Sequence, residues 1–364
     1  MTSRHKFFCF FSFSVSLAFT VILHAAGTEK ELAPPLRWQM RTVAQWSAVL
    51  EASFSDSPPS EPDQWFAAYA LGQYGAEAKS AVPLLIRRLE QELLEGDYYI
   101  RAAAARSLGM IGDGKAVPAL AELLETELAK SPKEQYPAIL RNAAWALGAF
   151  GKKIPPTNTK VIAALKNLLK SGHSANDAPA RGAAAVALWK IAKDESALAA
   201  IREMLVSPKW SPKSMEIYQG ALAAAEIGPE LGKNASVMAE ILAQRLLSKD
   251  QDVSRACAEA LCALGKAAAS PVKEAYEKQK DPAVRARLLA VLAAVDAKAE
   301  FPRFLKLAGD VREADAVRIS AIRGMKTPPA EFRKEAKNVF VSVINDKTSS
   351  PGVVREAAAV LKEM

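Results

Sequence analysis

The sequence predicts an all-α chain built as a right-handed α-α superhelix of about eight helix pairs with capping helices at its ends. Three observations carry this. Apolar residues recur at three- and four-residue steps throughout, with few β-branched runs and little strict alternation. Helix-ending residues recur at a steady period: Gly75, Gly112, Gly151, Ala192, Gly228 and Gly265 stand 37, 39, 41, 36 and 37 residues apart. Half of the residues are apolar but only 7% are aromatic, which suits thin, Ala-rich helices packed closely. A chain of 364 residues would ordinarily divide into two or three domains. A stacked array grows without a single central core and escapes that rule.

The first 26 residues stand apart. Arg4, His5 and Lys6 make a basic start, Phe7 to Leu23 is an uncharged apolar run, and Ala25, Ala26 and Gly27 supply small residues after it. That is the layout of a secretory signal peptide cleaved near Ala26, and it predicts an exported protein, periplasmic or secreted. An uncleaved N-terminal anchor is the alternative address. Residues 27–61 form a leader with turn-rich Pro34–Pro35 and SDSPPSEP segments around an amphipathic stretch, Thr42 to Ala52, expected to cap the array. The solenoid proper spans 62–364.

Within it, each first helix ends at a glycine or its equivalent, because glycine enters the left-handed conformation at a helix C-terminus without a Cβ penalty. The stretch Arg101 to Leu124, RAAAARSLGMIGDGKAVPALAELL, shows one unit. Ala103, Ala104, Leu108 and Ile111 share a helical face, Gly112 and Gly114 break the helix, and a second helix starts at Ala116 with Pro118 in its first turn. Later equivalents, Asp296 and Lys326, follow at 31 and 30 residues, and REAAAVLKEM closes the chain. Longer connections near Lys152–Asn158, Ser171–Ala178 and Ser207–Lys213 are the expected places for a bend.

The segments DPAVRARLLAVL, QDVSRACAEALCALG and IRAAAARSLGMIG resemble the HEAT-repeat signature D-x-x-V-R-x-x-A-x-x-A-L-G-x-I-G, of the phycobilisome-lyase-like type. The resemblance covers roughly 62–364 and implies a HEAT-type α-solenoid. It implies no catalytic residues, since the signature is itself structural. HEAT-like iron-dependent hydroxylases carry paired His-Glu motifs, and none is found here.

Residue chemistry argues against catalysis. After residue 26 the one histidine is His173, in a loop, which cannot build a His-rich metal site or a Ser/Cys–His–His arrangement. Cys257 and Cys262 sit on different sides of one helix and are expected to be small buried apolar residues. Glutamates such as Glu90, Glu92, Glu95, Glu122, Glu125 and Glu127 fit solvated helix faces. Catalytic, cofactor and metal residues are therefore expected to be absent. The arginines Arg101, Arg141, Arg181, Arg255, Arg285, Arg318 and Arg355 open successive first helices. Five of them follow an acid, at Asp97, Asp177, Asp252, Asp281 and Asp315. An internal ladder is the expectation, with the acid capping its helix and the arginine bridging repeats. An anion-binding stripe is the alternative.

Charge is uneven. Residues 27–265 balance at 27 basic against 27 acidic, while 266–364 carry 19 against 13. The leading expectation is a non-enzymatic scaffold or adaptor that binds a protein partner along a concave face lined by the second helices. Candidate contacts there are Arg87, Arg88, Lys166, Arg202, Gln244 and Arg245. Lys273, Lys278, Arg303, Lys306, Arg333 and Lys334 form a basic C-terminal patch that could meet a polyanion, an acidic protein or a membrane surface. Export excludes nucleic acid as the expected target. The resemblance implies one further alternative, a lyase-like protein acting on a chromophore-bearing partner.

Overall fold

The computed structural model describes residues 41–364 apart from 56–57, 92–97, 172–174, 207 and 209–212. The predicted signal segment, the leader up to residue 40 and His173 lie outside the described residues. Arg41–Met364 forms one compact unit. Among the described residues every regular element is helical, and no helix is long and apolar enough to cross a membrane.

Helix α1 (Val43–Ala52) precedes the array. Thr42 accepts from the Gln45 amide while the Gln45 side chain accepts from the Thr42 amide, a reciprocal cap, and Trp46 and Leu50 are buried. First helices then follow as α2 (Glu61–Gln73), α4 (Tyr98–Ile111), α6 (Pro137–Phe150), α8 (Ala178–Ala192), α10 (Lys213–Ile227) and α12 (Gln251–Leu264). Their partners are α3 (Val82–Glu90), α5 (Val117–Ala129), α7 (Thr159–Lys170), α9 (Glu195–Val206), α11 (Ala235–Arg245) and α13 (Ala269–Lys278). Helix α14 (Pro282–Gly309) is itself a pair, broken where Asp296 leaves helical geometry (φ −153°, ψ 54°). Helices α15 (Asp315–Gly324) and α16 (Arg333–Asn345) make the next pair, and α17 (Pro351–Glu363) ends the chain alone. Each first helix packs on the first helix of the next repeat, so these helices form one layer and the second helices another. This is the HEAT-type α-solenoid expected from the sequence.

The turn glycines do what their spacing predicts at most positions. Gly75, Gly112, Gly151 and Gly265 all take positive φ, between 49° and 71°. Two assignments need correction. In the fourth repeat the left-handed residue is Lys193 (φ 52°), one past Ala192, and in the fifth it is Gly232, not Gly228. There the chain makes two successive 3-10 turns, Gly228–Glu230 and Gly232–Asn234, before α11 begins.

A second glycine, three residues earlier, sets the distance between neighbouring first helices within their layer. A Cβ placed on Gly109 would lie 2.6 Å from the Ala146 Cα, and one on Gly148 would lie 3.2 Å from the Ala187 Cα. The L-G-x-x-G pattern thus pairs a close-approach residue with a turn residue. Ser107 bridges the same layer by donating its hydroxyl to the Ala68 carbonyl at 2.7 Å, and Ser320 does so to Ala286 at 2.8 Å. Leu108 is fully buried, as the register requires.

Candidate functional site

The residues expected on the second-helix layer are spread one or two per repeat along α3, α7, α9 and α11. Arg87 is exposed, donates to Glu51 at 3.0 Å and lies 3.9 Å from the Phe54 ring centroid. With Ser47, Ser80 and Leu84 it lines a cleft of about 490 Å³ between α1 and α3. Arg88 corrects the expectation of a contact residue: it is completely buried, with its guanidinium donating to Gln64 at 3.2 Å. Val82, Leu85 and Leu89 share its inward face, so the helical phase that exposes Arg87 turns Arg88 into the core.

Lys166 on α7 pairs with Asp194, at the entry to α9, at 2.7 Å. Burial works against the Asp194 carboxylate, yet hydrogen bonds from Lys166 and Ser196 outweigh it and hold the carboxyl below the usual aspartate range. Arg202 is half-buried and Gln244 exposed. Arg245 donates to the Val206 carbonyl at 3.0 Å, closing the C-terminus of α9.

In the C-terminal patch, part of the positive charge is spent internally. Glu300 receives Arg303 at 2.7 Å and Lys273 at 3.9 Å, and Arg303 also reaches Glu277 at 3.3 Å. Lys278 pairs with Glu274 on its own helix at 2.6 Å. Tyr276 lies 4.9 Å from the Arg285 guanidinium and 5.2 Å from that of Arg303, its hydroxyl accepts from Arg285 at 2.8 Å, and it stays protonated at neutral pH because burial raises its phenol further. Lys306, Arg333 and Lys334 remain exposed.

The arginine ladder exists in altered form. Arg101, Arg181 and Arg318 are buried, and each Nε donates at 3.2 Å to a carbonyl near the end of the preceding second helix: Leu89, Leu169 and Ala308. They satisfy the orphan C-terminal carbonyls of those helices. Arg181 then bridges forward to Glu216 at 2.8 Å, Arg285 to Glu313 at 2.8 Å and Arg318 to the Ser349 hydroxyl at 2.9 Å. Bridging thus runs to the next repeat, as the ladder expects, and Asp281 caps its own helix by accepting from the Ala283 and Val284 amides. Arg255 pairs with its own acid, Asp252, at 2.6 Å. Its place in the buried ladder is taken by Ser254, whose hydroxyl donates to the Leu246 carbonyl at 2.9 Å. Asp97 lies outside the described residues.

The two cysteines differ. Cys257 is buried, and burial pushes its thiol up to about 12, so it stays protonated and unreactive. Cys262 is exposed, contrary to the expected burial, with its thiol also shifted up. Among the described residues no group of three His, Cys, Asp or Glu side chains is placed to hold a metal ion.

The repeat geometry now on the page has sequence counterparts. HEAT repeats match residues 48–135, and the PBS lyase HEAT-like repeat matches residues 139–171. The chain carries HEAT-type repeats over these residues. It is 37% identical over 116 residues to a phycocyanobilin lyase subunit alpha from Picosynechococcus sp., covering 28% of this chain and 40% of that one. A subunit of the same name from Microchaete diplosiphon is 48% identical over 63 residues, covering 16% and 21% of the two chains. The chain thus spans less than half the length of the curated relatives it matches. Among solved structures, the CpcE–CpcF complex of phycocyanin lyase from Nostoc sp. PCC7120 is 19% identical, with a TM-score of 0.43 over 93% of this chain and 98% of that one. The relatives' names overturn one expectation. A HEAT chain without catalytic motifs was read as non-enzymatic, whereas the relatives that its repeats match are subunits of a lyase. The likeness rests on the repeats themselves and not on any His, Cys or metal motif.

Proposed function

We propose that this chain is a lyase-type HEAT protein that acts on a chromophore-bearing protein partner, with a linear tetrapyrrole as the chromophore class. The observation that carries the reading is the 37% identity over 116 residues to a phycocyanobilin lyase subunit, together with the PBS lyase HEAT-like repeat at 139–171. The residue chemistry is compatible with it. Cys257 is held protonated by burial, so it supplies no thiolate at neutral pH, and a covalent intermediate on that residue is not part of the reading. The chain's contribution is then to hold the partner's attachment residue and the chromophore in reacting geometry, which alone can supply several kcal/mol, about 7–11 in well-oriented cases. Arg87 and Lys166 on the second-helix layer are cations suited to the carboxylates such chromophores bear.

The test is direct binding. Purified chain is titrated with phycocyanobilin and the visible absorption band is followed. The reading expects a saturable shift of the band, weakened at least about tenfold in an Arg87→Glu, Lys166→Glu double variant. Absence of a saturable shift refutes the reading. As to address, we propose export on the strength of the Arg4–Gly27 segment, whose structure lies outside the described residues.

A further inference from the structure

Residues six before the turn glycines of the first three repeats are Tyr69, Arg106 and Trp145; ten before Gly75 and Gly151 stand Trp65 and Arg141. Equal register places all five on one face of the first-helix layer, running across α2, α4 and α6. The Trp65 and Tyr69 rings stack 5.5 Å apart with only 7° between their planes. The Arg106 guanidinium lies 4.4 Å from the Trp145 ring centroid. Trp65 is 40% exposed, Arg141 is exposed, and Tyr69, Arg106 and Trp145 are half-buried.

The charge on this face is unlike that of the rest of the layer. Farther along the layer several cations meet carboxylates: Lys190 meets Glu226 at 2.6 Å, Lys193 meets Glu230, and Arg323 meets Glu356 at 2.8 Å. Arg106 has no carboxylate within ion-pair reach among the described residues. Burial, and then the like charge of Arg141, pull it below the ordinary guanidinium value, while Tyr69 acts in the opposite sense. It stays charged at neutral pH nonetheless.

We propose that the outer face of α2, α4 and α6 is a docking surface for an acidic segment of a partner protein. The segment's carboxylates meet Arg106 and Arg141, and its apolar side chains rest on Trp65, Tyr69 and Trp145. Charge complementarity selects an acidic occupant. Extent selects a protein: helices about 8–10 Å apart give three of them a span of roughly 20 Å. The residue types agree, because Trp, Tyr and Arg are those that dominate the energetics of protein interfaces. This surface lies on the layer opposite to the second helices invoked for the chromophore, and the inference does not depend on that reading.

The probes are three fluorescein-labelled 12-residue peptides, identical in their leucines and differing only in carrying glutamate, glutamine or lysine between them. Anisotropy is measured at two salt concentrations. The full chain is expected to bind the glutamate peptide at least about tenfold more tightly than the lysine peptide, with the preference shrinking at high salt. Arg106→Glu abolishes or reverses the preference, Trp65→Ala weakens binding of the glutamate peptide, and Lys362→Glu, at an exposed position of the terminal helix α17, changes nothing. Circular dichroism checks that each variant is folded. The proposal is overturned if the glutamate preference is absent, if it survives Arg106→Glu, or if Lys362→Glu damages it equally. It is also overturned if the peptides show no preference while biliverdin binds in an Arg106-dependent way, which would assign the face to a small planar anion.

Discussion

Replacing Gly109 by alanine adds one methyl group at the point where α4 meets α6. That methyl would lie 2.6 Å from the Ala146 Cα and 2.8 Å from its Cβ, distances that real side chains do not tolerate. The nearest obstacle is backbone, so relief requires the helices themselves to separate. In an open helix the same change would help by about 1 kcal/mol through helix propensity. Overpacking of this kind costs about 1–3 kcal/mol, so a net loss of up to about 2 kcal/mol is expected. Gly114 is the control, since a Cβ there meets nothing within 4 Å. Gly114→Ala should be neutral or slightly stabilising. The assay is urea unfolding followed by far-ultraviolet circular dichroism, with hydrogen exchange to show that the loss is centred on α4 and α6. A Gly109→Ala protein as stable as Gly114→Ala would refute the close-approach role of the L-G-x-x-G glycine.

Other outcomes follow from the same geometry. Leu108→Ala empties a fully buried site and should cost about 2–5 kcal/mol in a denaturant melt; a loss under about 0.5 kcal/mol would mean the repeat register is wrong. The Asp194 carboxyl is held below its ordinary value, so folding favours its ionised form. Its contribution is whole above the unfolded value near ~3.9 and is lost as pH falls through the lower folded value. Protection factors in α7 and α9, corrected for the intrinsic pH dependence of amide exchange, should therefore fall on acidification toward pH ~3, and Asp194→Asn should remove that part of the pH response. Reversing the exposed Lys306, Arg333 and Lys334 to glutamate should leave the melting curve within about 0.5 kcal/mol, because exposed charges add little to stability; a large loss would show them to be structural. N-terminal sequencing of native protein should find a start near Gly27, and an intact Met1 in a soluble cytoplasmic fraction would reject export.

The repeat plan is legible in the chain because glycine positions and apolar spacing are enforced by backbone sterics, which act locally. Where local rules are relaxed, legibility fails by a residue or more. Lys193 adopts a left-handed conformation that glycine would take more easily, and its side chain is held by Glu230 of the next repeat and by the Trp189 ring. Nothing local to Ala192 signals this. Arg88 was misplaced although its signal was available: three residues past Leu85 and one before Leu89, it falls on the apolar face of α3. Cation content alone suggested a surface residue, and phase decides otherwise. That Arg181, Arg285 and Arg318 bridge repeats is legible from their recurrence, but their partners Glu216, Glu313 and Ser349 lie roughly 30 residues on and no local pattern names them. The face formed by Trp65, Tyr69, Arg106, Arg141 and Trp145 is readable in retrospect. It emerges only when successive first helices are laid in register and compared position by position, instead of each helix being read for its own apolar stripe.

The central claim is that this solenoid acts on a tetrapyrrole-bearing partner, and the most direct measurement is chromophore transfer itself. Purified chain is added to phycocyanobilin and apo-phycocyanin, and the mass of the acceptor protein is followed with time. The account predicts that the acceptor gains the mass of the chromophore faster with the chain than without it, and that an Arg87→Glu, Lys166→Glu variant loses most of that acceleration. An acceptor that gains chromophore at the same rate with and without the chain would contradict it.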